Sequence, residues 1–141
     1  MLIKQLSIFL ENKSGRLMEV TKVLGEENVN MSAFSMTENA DFGILRLIVN
    51  DPERAKEVLN QHGFAVSLTD VICLECNNKP GTLADDLALL SKNNIFIDYM
   101  YAFALGEKAH VVLRTENPSL CADILLKNNK KLLSPEELYI S

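Results

Sequence analysis

Between residues 5 and 11, apolar Leu6, Ile8 and Leu10 alternate with Gln5, Ser7 and Glu11, the period of two that marks a half-buried strand; Phe9 interrupts it. Gly15 then punctuates the chain, and Leu17, Val20, Val23 and Leu24 recur at helical spacing until Asn28 ends the segment. Residues 29–37 and 42–50 are apolar and rich in β-formers, joined by Glu38-Asn39-Ala40-Asp41, a polar connection suited to a hairpin. Asp51-Pro52 supplies an N-cap and a proline at the first helical position. Ala55, Val58 and Leu59 form the buried stripe of that helix, His62-Gly63 closes it, and residues 64–68 read as a fourth strand.

Sliding the sequence against itself by 66 positions repeats this grammar without a gap. Asn12-Lys13-Ser14-Gly15-Arg16-Leu17 falls on Asn78-Lys79-Pro80-Gly81-Thr82-Leu83. Downstream, Leu24 meets Leu90, Asn28 meets Asn94, Leu47 meets Leu113, Pro52 meets Pro118 and Leu59 meets Leu125. The shared residues stand at turns, helix starts and core positions, where one fold used twice is constrained. The second copy therefore reads as strand 71–76, helix 83–92 with Leu83, Leu87 and Leu90 inward, and strands 95–105 and 108–115. A second helix opened by Asn117-Pro118 follows, burying Cys121, Ile124 and Leu125, with a last strand at Leu138-Tyr139-Ile140 beyond Ser134-Pro135.

The expected fold class is α+β: two ferredoxin-like βαββαβ units side by side, each an antiparallel sheet with helices on one face. The expected domains are residues 1–68 and 69–141, with a linker of about three residues, 68–70.

Composition narrows the function. The 141 residues carry a formal net charge of −5, which argues against nucleic-acid binding through phosphates. No apolar run approaches the ~20 residues that span a bilayer, and the N-terminus does not read as a signal peptide, so a cytoplasmic protein without membrane attachment is expected. Three cysteines are an odd number, which favours free thiols. Cys73-Leu74-Glu75-Cys76 has the C-x-x-C spacing, but in a strand these two cysteines point to opposite faces, so packing is the expected role.

The strand-to-helix loops, residues 11–17 and 77–83, are where chemistry concentrates. Gly15 and Gly81 permit close backbone approach, and the helix N-terminus behind each offers unpaired N–H groups and partial positive charge suited to a carboxylate. Asn12 and Asn78 both donate and accept, as an α-amino acid requires. The same residue types also serve as plain turn formers.

The pattern Asn-Lys-(Ser/Pro)-Gly-x-Leu, doubled within a duplicated βαββαβ unit, resembles the ACT domain family across essentially the whole chain. The resemblance implies a non-enzymatic regulatory module that senses a free amino acid at the interface of two units whose sheets join. It also implies partnership with a metabolic enzyme. Carried onto this sequence, it singles out Asn12, Ser14, Gly15, Arg16 and Leu17, and Asn78, Gly81, Thr82 and Leu83. A polar residue early in strand two also serves some members. Asn30 stands there in the first copy; the second has Phe96, with Asp98 the nearest acidic group. The first copy is thus closer to the family's pattern, and two, one or no working sites remain open. The alternative is a ligand-independent regulatory subunit that controls a separate amino-acid-metabolism enzyme. A homodimer is also expected.

Other residues point to packing. His62 and His110 have no partner at metal-ligand spacing, no nucleophile motif is present, and no catalytic residue, metal or cofactor is expected. Met18, Met31, Met36 and Met100 are expected as core filler. Tyr99, Tyr101 and Phe103 alternate along one strand, a face able to stack bases or to pack against protein; the acidic balance favours protein.

Overall fold

The computed structural model describes residues 2–11, 14–38, 41–105 and 107–139, the side chains of Leu105 and Tyr139 apart. The elements run β1 (Ile3–Glu11), α1 (Arg16–Glu26), β2 (Met31–Glu38), β3 (Phe42–Val49), α2 (Pro52–Gln61) and β4 (Ala65–Asn77). They continue α3 (Thr82–Lys92), β5 (Ile97–Leu105), β6 (Lys108–Thr115), α4 (Pro118–Lys127) and α5 (Pro135–Tyr139). Two compact units result. The first comprises Lys4–Thr69 with the residues from Leu138 onward, the second Asp70–Glu137 with the residues up to Ile3.

The first unit is a βαββαβ sheet of order β2-β3-β1-β4. Its registers are antiparallel, Leu6 opposite Leu47 and Ile8 opposite Leu45. Leu6, Ile8 and Leu10 of β1 and Leu45, Leu47 and Val49 of β3 share one face, and the apolar stripes of α1 and α2 close over it. In the second unit, β6 lies between β4 and β5. Ile72 and Leu74 join Val111 and Leu113 beneath Leu90, Cys121 and Leu125 of the helices.

The 66-residue repeat extends to backbone detail. Gly15 and Gly81 have φ of 88° and 89°, and Asn28 and Asn94 have φ of 57° and 60°. Asp51 and Asn117 each accept the N–H three residues on, from Arg54 and Leu120. Even the register break in β2, between Met31 and Ala33, recurs in β5 between Ile97 and Tyr99. A break that returns in register belongs to the fold and not to local sequence accident.

Several expectations fail, each for a physical reason. The linker at 68–70 does not exist: those residues lie inside β4, one strand of 13 residues. Its sequence AVSLTDVICLECN contains no glycine or proline to end it, and β-branched residues run through its middle. The last strand is replaced by α5. Ser134 Oγ accepts the Glu137 N–H and donates to its carboxylate at 3.2 Å, so Ser134 is the side-chain N-cap of α5, with proline at the first helical position. What remains of the strand is a single bridge between Leu74 and Leu132.

Leu17 is exposed, and the stripe of α1 begins one turn later, at Val20. On α3, Asp86 is buried beside Leu90 while Leu83 and Leu87 are only half-buried. Met31 packs on the first core, but Met18, Met36 and Met100 are exposed. Met18 lies about 200° around α1 from Val20, and Met36 and Met100 sit on β2 and β5, which have a neighbour on one side only.

Candidate functional site

The loop of the second unit is built by its own backbone. Lys79 N–H donates to Asn77 O at 2.8 Å, and Thr82 N–H donates to Lys79 O at 3.3 Å. Thr82 Oγ1 lies 2.7 Å from Asn77 O and 3.0 Å from Lys79 O, so its hydroxyl braces the turn. Gly81, at φ 89° and ψ −14°, aims the chain into α3, and no side chain caps that helix. Its first-turn N–H groups are therefore free of side-chain acceptors, and Asn78 stands exposed beside them.

A cavity of about 420 Å³ opens at this loop. Asn77 and Thr82 line it together with three carboxylates, Glu75, Asp85 and Asp86, and three ammonium groups, Lys108, Lys130 and Lys131. Lys130 Nζ lies 2.8 Å from Asp86 Oδ1. Glu75 faces Lys108 at 3.2 Å, Lys131 at 3.7 Å and His110 Nε2 at 3.6 Å. Burial pushes the Glu75 carboxyl up, but the hydrogen bond and charge of Lys108, with the charge of Lys131, hold it below the usual value. The hydrogen bond and charge of Asp86 raise Lys130. With equal numbers of both charges, the walls can meet both ends of a zwitterion.

In the first unit, Asn12 lies outside the described residues. Ser14 and Gly15 form an exposed turn, with Gly15 at φ 88°, and among the described residues no side chain caps α1. Arg16 is committed to the fold: Nη1 lies 2.8 Å from Glu19 Oε2, and the guanidinium sits 4.3 Å from the centre of the Phe64 ring. Leu83, by contrast with Leu17, packs on its unit's core.

Within each unit the strand-two residues are not brought to the loop. Glu11 pairs with Phe42 and Met31 with Val49, so Asn30 and the first loop stand at opposite ends of β3, about 23 Å apart. Asn30 N–H donates to Asn50 Oδ1 at 3.0 Å there. In the second unit, Asn77 pairs with Lys108 and Ile97 with Thr115, which separates Phe96 and exposed Asp98 from the second loop in the same way.

The charged residues of the cavity were not singled out from sequence, although a signal exists. Under the 66-residue shift, buried Val20 becomes Asp86 and buried Phe64 becomes Lys130, a paired exchange of apolar groups for opposite charges. The other candidates are structural. Cys73, Cys76 and Cys121 are buried free thiols. Burial pushes them up to about 12, 11 and 11, so they are poor nucleophiles. His62 Nδ1 lies 2.8 Å from Val58 O at the end of α2, and buried His110 stacks on Phe103. Tyr99, Tyr101 and Phe103 share a face opposite Arg114, Val112 and His110 and are half-buried. Among the described residues, no three His, Cys, Asp or Glu side chains gather as a metal site, and no helix is long and apolar enough to cross a membrane.

The family model described as the ACT domain pair matches residues 1–140. The chain is a member of the ACT domain pair family. The crystal structure of a protein from Bacteroides thetaiotaomicron is similar over 99% of this chain and 96% of that one, at 52% identity and a TM-score of 0.94. The ligand-free regulatory subunit of aspartate kinase from Thermus thermophilus has a TM-score of 0.63 at 13% identity, covering 89% of this chain and 93% of that one. The corresponding subunit from Thermus flavus has a TM-score of 0.61 at 16% identity, covering 90% and 92%. At those identities the ACT pair shares their fold. No curated protein matches the chain.

Proposed function

We propose that this ACT domain pair is a regulatory module without catalysis of its own, which binds a free amino acid at its strand-to-helix loops. On this reading it controls a separate enzyme of amino-acid metabolism. The observation that carries the reading is the second loop, where a left-handed Gly81 delivers the uncapped N-terminus of α3 to the edge of a cavity walled by both signs of charge. The N–H groups suit an α-carboxylate, and the carboxylates of the wall suit an α-ammonium. This favours the second copy, whereas the strand-two position, Asn30 against Phe96, favours the first.

The test is a thermal-shift panel of the twenty amino acids on the full chain. One or a few raise the melting temperature, and Asn78→Ala or Asn12→Ala removes the effect in the copy that binds. The reading fails if no amino acid at millimolar concentration shifts the transition.

The second reading, a ligand-independent regulatory subunit, draws on the fold shared with aspartate kinase regulatory subunits. A stoichiometric enzyme retained by the chain, with binding unchanged by Asn12→Ala and Asn78→Ala, would support it. The homodimer belongs to the same proposal, and sedimentation equilibrium measures it directly.

A further inference from the structure

Under the 66-residue shift, the walls of the cavity at the second loop change character as a set. Glu75 stands where the first copy has Phe9, Asp86 where it has Val20, Lys108 where it has Phe42 and Lys130 where it has Phe64. A unit of the same fold therefore forms with apolar side chains at all four positions, and the fold itself does not call for charge there. Two of the charges also carry a cost, since Asp86 is buried and Glu75 is only 12% exposed. The space differs as well. In the first copy Arg16 lies over the Phe64 ring; its counterpart Thr82 turns its hydroxyl onto the loop backbone, and Thr82 and Lys130 line an open cavity.

The charges of that cavity are not shared out evenly. Asp86 and Lys130 form one pair at 2.8 Å. Glu75 is met by two ammonium groups, Lys108 at 3.2 Å and Lys131 at 3.7 Å, and both lysines are at least half exposed. That corner carries surplus positive charge. Asp85, exposed in the first turn of α3, makes no ion pair among the described residues. The cavity thus offers two places for a carboxylate, the lysine corner and the N–H groups that open α3, and one for an ammonium, Asp85. His110 lets the lysine corner be used. It is buried, its ring nitrogens have no hydrogen-bond partner, and Nε2 lies 3.6 Å from Glu75. When Lys108 turns to a ligand, an Nε2–H can take its place, so Glu75 is not stranded. The first copy, with Phe9 in place of Glu75, has Ile44 at this position.

We propose that the cavity binds a dicarboxylic amino acid, aspartate or glutamate, with the α-carboxylate on α3, the ammonium on Asp85 and the side-chain carboxylate on Lys108 and Lys131. The proposal rests on the reading of the second loop as the binding loop and names the class of its ligand. A cavity of about 420 Å³ has room for either molecule. A basic amino acid would bring a second ammonium to a corner already positive, and an apolar one would cover charged walls without pairing them.

The test titrates the full chain by calorimetry with L-glutamate and L-aspartate, their neutral amides L-glutamine and L-asparagine, and L-lysine, and follows amide chemical shifts. Glutamate or aspartate should bind and move the amides of Thr82, Asp85, Lys108 and Lys130, and the matching neutral amide should bind about tenfold more weakly. Lys108→Met should weaken the acidic ligand about tenfold and leave its neutral amide unchanged, a difference that a general disturbance of the strand end would not produce. Asp85→Asn should weaken both. If glutamine, asparagine or lysine binds at these amides as tightly as the acids, or Lys108→Met weakens acid and amide alike, the proposal is overturned while the loop reading stands. If none of the twenty amino acids moves an amide at the second loop, the loop reading falls and the proposal with it.

Discussion

Asp86 and Lys130 meet at 2.8 Å on positions where the first copy buries Val20 and Phe64. Asp86 is nearly buried and Lys130 about one-third exposed, so removing the lysine strands a carboxylate that water reaches poorly. Lys130→Met is expected to cost about 1–3 kcal/mol, below the range for fully buried pairs because of that exposure. Asp86→Val with Lys130→Met should recover most of the loss. Urea denaturation of the three variants and the parent gives the coupling. If the double variant is no more stable than Lys130→Met, the pair is not what holds α3 to residues 128–131.

Glu75 sets the acid limb of stability. Its folded pKa is lowered, so its contribution is fully present above the ordinary carboxylate value of 4.5 and is lost as pH falls through the lower folded value. Thermal scans from neutral pH to well below 4.5 should show a steeper loss in the parent than in Glu75→Gln. Equal slopes would mean that Lys108 and Lys131 do not act on this carboxylate in solution. Lys130 has the opposite sign: its raised pKa gives stability present below 10.5 and lost only as pH rises through the higher folded value.

Much of the fold was legible because its signals are local. Asp51-Pro52 and Asn117-Pro118 cap helices by chemistry confined to four residues, and β6 (Lys108–Thr115) is read from its place in the 66-residue repeat. The continuity of β4 and the helical end were not read, since duplication suggested a linker and a strand where Ser134-Pro135-Glu136-Glu137 caps a helix. The candidate loops were legible from glycine and asparagine spacing. The cavity beside the second loop was not, because Glu75, Asp86, Lys108 and Lys130 come from separate elements, and only the fold makes them neighbours.

The glycines that open α1 and α3 are required by backbone conformation and not by crowding. A Cβ at Gly15 or Gly81 would meet nothing within 4 Å, yet both residues have φ near +88°. Gly15→Ala and Gly81→Ala should each cost about 1–2 kcal/mol, and Gly81→Asn less, because asparagine tolerates the left-handed region. Chemical denaturation measures this directly. Equal stability of Gly81→Ala and the parent would mean that the loop can reach α3 by another path.

The cysteines provide a check on folding that is independent of any ligand. Cys73 and Cys76 stand three residues apart on β4, one on each face, and both are buried. Desolvation comes first in raising each of the three thiols, and Cys76 is raised further by its contact with Asp86, 3.5 Å from its sulfur. A thiol at about 11 or 12 is almost entirely protonated at neutral pH, and burial bars reagents as well. The native protein should therefore react with a thiol reagent only as fast as it opens, and all three cysteines should react at once in denaturant. If Cys73 and Cys76 were instead oxidised to a disulfide under mild conditions while the protein stayed folded, β4 would have to distort, since residues three apart in a strand face opposite ways. Mass spectrometry of the oxidised protein, with Cys121→Ser to remove the third thiol, separates the two outcomes.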